Sequence, residues 1–201
     1  MNVNFHPDNC KHYQFFHDWL IQNNSKQLAV HNLQMRFNAT ARNRLKYAIK
    51  NDYRVHRGWD IRNNHLDDVY QVNISKGERQ GRKMGEGYFN YPEKIIFKIP
   101  QCDKHYVEFF GCLTDQGTLV GYIEAYFIGE MVEISRILGH AEHMKNGVML
   151  LLMDDLIDYS KSINARCIVY YLWDSGTLGL QYWKHSTGFR PIYLQEGVEK
   201  I

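Results

Sequence analysis

The chain has 201 residues, 44% of them hydrophobic and 23% charged, with a net charge of +2 at pH 7. That is ordinary globular usage at a length suited to one domain with a sizeable core, and it excludes a disordered or low-complexity chain. No apolar run reaches the roughly 18 residues of a membrane span, and the opening MNVNFHPDNC lacks the basic and apolar regions of a signal peptide. The expectation is a cytoplasmic protein without membrane contact.

Cys10, Cys102, Cys112 and Cys167 lie far apart with no Cys-x-x-Cys pair. They read as free thiols in a reducing compartment, not as a zinc ribbon or a redox motif.

In chain order, FFHDWLIQ (15–22) has helical apolar spacing and QLAVHNL (27–33) alternates like a short strand. Asn38 is a capping residue type, and the helix it would open puts Leu45, Ala48 and Ile49 on one face. KND ends that helix before the strand-like YRVHR. Arg and Lys dominate residues 36–62, so the basic helix of residues 36–57 offers a face for phosphates or nucleic acid, with a solvated surface as the plainer reading. LDDVYQV reads as another short helix, and NISKGERQGRKMGEGYF as a charged, glycine-rich loop leading to a short helix near Tyr88.

The second half is patterned more sharply. HYVEFFGCL and TLVGYIEAYFI are strands joined by the turn TDQG and should pair antiparallel; MVEISRIL follows across Gly129. Val148 to Tyr159 reads as a helix with Asp154, Asp155 and Asp158 toward water, and CIVYYLW as a strand covered on both faces. Strand, helix and buried strand make a right-handed βαβ crossover. A helix in SGTLGLQYWKHSTGF, with Ser175 as its cap, and a last strand RPIYLQ complete the chain. The fold class expected is α/β (α+β): a mixed sheet in which an antiparallel meander leads into one crossover, then a final helix and strand.

The order of these elements, the glycine opening the crossover helix and GLQYWKHSTGFRP near the end together resemble the GNAT acyltransferase superfamily over residues 64–201. ARNRLKYAIKNDYRVHR and the Arg-Gly loop after it are similar to segments of the Fem-type aminoacyl (peptidyl) transferases, a GNAT-related branch, which assigns residues 1–63 to an N-terminal extension. The resemblance implies transfer of an acyl group from a thioester, acetyl-CoA or another acyl-CoA, or from an ester, to a small-molecule or macromolecular amine. A nucleic-acid-modifying transferase and a non-catalytic binding module on the same fold are the alternatives.

The resemblance also implies a loop that wraps the donor's pyrophosphate, and two registers compete for it. Arg136-x-x-Gly139-x-Ala141 satisfies the family's letters; the other opens the helix at Gly147 with Met149 where a small residue is usual. The second is preferred for its place in the topology, because a helix start carries open N–H groups. Gly139, His140, Asn146, Gly147, Val148 and Ser175 are the candidate donor-binding residues. Many members use a tyrosine four residues before the Gly-Phe as the acid for the leaving group; Lys184 stands there, so nearby Tyr182 is the candidate acid.

Glu133 lies on the strand that should line the cleft and is the candidate base, with Ser135 on its face and Val132, Ile134 and Arg136 opposite by alternation. Arg79 and Arg82 suit a carboxylate or phosphate, Tyr88 a pocket wall, and Asp174 the end of a buried strand where ligands bind. Each also has a structural reading: salt bridge, solvated loop, core or helix cap. His140 and His143 with Glu142 have no further clear ligand, and no metal is expected.

Overall fold

The computed structural model describes residues 1–6, 10–23, 25–96 and 102–196. In chain order the elements are β1 (Asn2–Val3), α1 (Lys11–Asn23), β2 (Leu28–His31), α2 (Ala39–Lys50), β3 (Arg54–Arg57), α3 (Trp59–Asn64) and α4 (Leu66–Ile74). Then come the short hairpin β4 (Glu78–Arg79) and β5 (Arg82–Lys83), the meander β6 (His105–Leu113), β7 (Leu119–Ile128) and β8 (Met131–Gly139), and α5 (Val148–Ser162). The chain closes with β9 (Cys167–Leu172), α6 (Leu178–Ser186), β10 (Arg190–Ile192) and β11 (Gln195–Glu196).

Seven strands form one mixed sheet in the order β10-β2-β9-β8-β7-β6-β3. The meander and the parallel β8–α5–β9 crossover are as expected. β2 and β3, from residues before 64, are strands of this same sheet: β3 pairs with β6 at one edge, and β2 lies between β10 and β9.

One face of the sheet buries Phe110, Ile123, Phe127, Val132 and Ile134 against Leu152, Met153 and Leu156 of α5 and Ala41 and Ala48 of α2. On the other face Phe109, Tyr122 and Leu138 meet Val69 and Val72 of α4. Asn38 Oδ1 accepts the Ala41 N–H at 2.9 Å and caps α2, as its residue type suggests. The core stripe of α2 is Ala41, Leu45 and Ala48; Ile49, expected on it, is 49% exposed. Two alanines on that stripe let the α2 backbone come close to α5.

A bulge corrects the expected faces of β8. Glu124 pairs with Arg136 and Ala125 with Ile134, so Ser135 is an extra residue. Arg136 therefore shares the face of Glu133, which pairs with Tyr126, and bridges to Glu124 at 3.5 Å. Simple alternation had put Arg136 on the opposite face, and one inserted residue reverses that.

Candidate active site between the splayed strands

β8 and β9 are bonded only from Met131↔Cys167 to Glu133↔Val169. Beyond that point β9 follows β2, with which it pairs as far as Leu28↔Leu172. The β2–β9 register shifts between Leu28 and Val30, and Tyr171 takes a φ of +52, a left-handed conformation that disfavours a non-glycine residue by about 1 kcal/mol or more. β9 thus bends away, and a cavity of ≈ 680 Å³ opens between the strands.

Glu133 to Gly139 of β8 form one wall, Tyr170 and Tyr171 of β9 another, and residues 82–85 with Tyr88 cover it. Trp183 and Lys184 of α6 close its inner end. Six cationic side chains line it (Lys76, Arg79, Arg82, Lys83, Arg136 and Lys184), against Glu133 as the acidic residue among the described lining. That balance favours an anionic ligand.

Burial pushes the Glu133 carboxyl up to about 8. Burial pushes Lys184 the other way, down to about 8. The Lys184 side chain is fully enclosed, and its Nζ donates to the carbonyls of Leu172 and, at 3.3 Å, Trp173, and to Ser175 Oγ at 3.1 Å. The open carbonyls at the end of β9 fix one ammonium in place. Its position, four residues before Gly188, is readable in the sequence, where the lysine departs from the family's tyrosine.

Of the sequence candidates, Glu133, Ser135, Gly139, Arg79, Arg82, Tyr88 and Ser175 all line this cavity. Arg79 has prior commitments: it donates to the Gly139 carbonyl at 2.9 Å, the Val72 carbonyl at 2.8 Å and Ser75 Oγ at 3.0 Å. It ties the β4–β5 hairpin to the end of β8 and to α4. Ser175 donates to Leu172 O at 2.8 Å, and the N-cap position of α6 is Thr177, not Ser175 as expected. Arg136 lies 5.5 Å from the centre of the Tyr88 ring.

The other candidates lie elsewhere. Tyr182 is 61% exposed and is not part of the lining; nor is Asp174, whose carbonyl accepts from Gln181 at 3.3 Å. Val148 is wholly buried in the core, and Asn146 donates to the Tyr53 hydroxyl at 2.9 Å. His140 meets His143 edge-on, their ring centres 5.7 Å apart, outside the lining.

Gly147 explains itself without a ligand. Its φ is +85, and a Cβ there would lie 2.3 Å from the Arg44 carbonyl of α2. Gly147 is a glycine because α2 lies against it, and Gly139 is the glycine of the two registers that lines the cavity.

In the loop between them many backbone donors are already committed, while the N–H groups of Val148 and Met149 belong to the first turn of α5, which has no intrahelical acceptor for them. The N–H groups of His140, Ala141, His143, Met144 and Asn146 donate to Val120 O, Ser75 Oγ, His140 O, His140 O and His143 O. Met149 fills the space over Gly139, its sulfur 2.6 Å from where a Cβ would stand.

A mixed sheet with one crossover has a ligand-sized cleft at the point where the parallel strands part, the usual place for a binding site in such sheets. The model of the Acetyltransferase (GNAT) family matches residues 76–178, half of the chain, and the chain belongs to that family. Among solved structures, FemX superposes with a TM-score of 0.62 at 10% identity, covering 83% of this chain and 59% of that one. L-PGS from Bacillus licheniformis gives 0.55 at 14% identity, with 83% and 58% covered. The C-terminal domain of a putative lysylphosphatidylglycerol synthetase from Agrobacterium fabrum gives 0.52 at 12%, with 86% and 63% covered. At such identities the likeness is one of fold, and the chain spans less than two thirds of each of these proteins. No curated protein matches the chain by sequence. Among the described residues, no helix is long and apolar enough to cross a membrane.

Proposed function

We propose that the chain transfers an acyl group, an aminoacyl group above all, from an ester on a phosphorylated carrier to an amine acceptor in the cleft between β8 and β9. The observation that carries this reading is the joint presence of Glu133 and Lys184 in one cavity, each shifted by burial to about 8. The Glu133 carboxylate takes a proton from the acceptor amine as its nitrogen bonds to the acyl carbon. The Lys184 ammonium adds a fixed positive charge that stabilises the negative charge developing as the ester bond breaks, and the departing oxygen takes the proton that Glu133 accepted from the amine. Gly139 and Ser135 line the acyl path, and Lys76, Arg82 and Lys83 at the mouth attract the carrier's phosphates.

An ester donor is favoured over acyl-CoA because α2 lies against Gly147 and Met149 fills the space over Gly139, which narrows the room for a pyrophosphate at the start of α5. The lysylphosphatidylglycerol synthetase of similar fold is named for a product that joins an amino acid to a lipid, which accords with aminoacyl transfer. Isothermal titration tests this. A stable amide analogue of a 3′-aminoacyl nucleotide should bind and lose affinity in Arg82→Ala, while acetyl-CoA stays weak. Tight acetyl-CoA binding with no binding of the analogue would reverse the choice of donor.

A further inference from the structure

Away from the cleft, three ligating side chains distant in sequence come together. Cys10 immediately precedes α1, Cys102 precedes β6, and His105 is the first residue of β6. One ligating atom from each lies within 4.8 Å of the others, and Cys102 Sγ is 3.2 Å from His105 Nδ1. We propose that Cys10, Cys102 and His105 form a site for a thiophilic divalent cation, zinc above all.

The histidine is already oriented for this. It is 1% exposed, and its Nε2 lies 2.7 Å from the Phe5 carbonyl. A carbonyl only accepts, so Nε2 carries the proton and Nδ1 presents a lone pair toward Cys102. Metal-bound histidines are fixed in the same manner, their other nitrogen donating to a carbonyl or carboxylate. Cys10 Sγ accepts the Tyr13 N–H at 3.4 Å, which places a positive partial charge beside the sulfur.

Two thiols and one imidazole match the donor preference of zinc, with water completing the tetrahedron. Binding forms two Zn–S bonds and one Zn–N bond and releases both thiol protons to solvent, so the site ends neutral. Cys112 and Cys167 differ: each is fully buried in a core cluster, with its thiol pushed up to about 12. The ion would tie the segment around Phe5 and the start of α1 to the first strand of the meander, and none of its three ligands lines the cleft.

The full chain, kept reduced and stripped of metal, should take up one equivalent of Co²⁺ with a thiolate charge-transfer band that Zn²⁺ abolishes. Cys10→Ser and Cys102→Ser should each raise the Zn²⁺ dissociation constant roughly 100-fold or more. His140→Ala should leave it unchanged, which separates this site from the His140, Glu142 and His143 group on the α5 loop. The half-buried Cys10 is the decisive position, since a buried His105→Ala variant risks misfolding. Absence of stoichiometric binding, an unchanged constant in both serine variants, or a Cys10–Cys102 disulfide in protein kept reduced would overturn the proposal.

Discussion

In the proposed reaction Glu133 and Lys184 work in opposite protonation senses, and burial brings both to about 8. The base must be ionised, so its active fraction rises as pH passes about 8; the ammonium must be retained, so its fraction falls through the same region. We expect kcat/KM to peak near that pH, and Glu133→Gln to lower it by roughly 10²-fold or more and to abolish the acidic limb. Tyr182→Phe should leave the profile intact, because that side chain faces solvent. Stability carries an independent signature. The Glu133 carboxyl is raised from 4.5 to about 8, so the folded state holds a proton that the unfolded chain has released, and stability should fall as pH rises across that window. Urea titrations at several pH values should show Glu133→Gln flattening this fall; an unchanged slope would mean that Glu133 is not buried as described.

At the scale of elements, α5 and its loop show what local pattern can and cannot reveal. Helix, crossover and buried strand were legible because apolar spacing and turn residues are local properties. The reason for Gly147 was not, since it lies in α2, some 100 residues away in sequence, whose Arg44 carbonyl leaves no space for a Cβ. The bulge at Ser135 was hidden for a similar reason: pairing with β7 decides it, and nothing in ISRIL announces an extra residue. Gly147→Ala should therefore destabilise the fold by roughly 2–3 kcal/mol, through a strained φ and a backbone clash, whatever donor is used. Gly139→Ala presses on the flexible end of Met149 instead, so it should unfold at nearly the wild-type urea concentration. Equal destabilisation by the two would contradict the assignment of Gly147 to the α2 contact.

For the whole molecule, the family was readable from the order of elements, as the match over residues 76–178 agrees. The place of β2 was not, because a strand entering between β9 and β10 leaves no mark on its own four residues. Yet β2 draws β9 away from β8, and with it come the cleft and the ring of cations. Arg42 and Lys46 of α2 are exposed and do not line that cavity, so their joint replacement by alanine should leave transfer to a free amine near wild type. A comparison of kcat/KM for an aminoacyl-nucleotide ester and for acetyl-CoA, with one amine acceptor, tests the proposed acyl transfer from an ester donor in the cleft most directly. The ester should be the better donor, and its advantage should disappear in Glu133→Gln and Lys184→Ala. Faster transfer from acetyl-CoA, or ester transfer indifferent to both replacements, would contradict it.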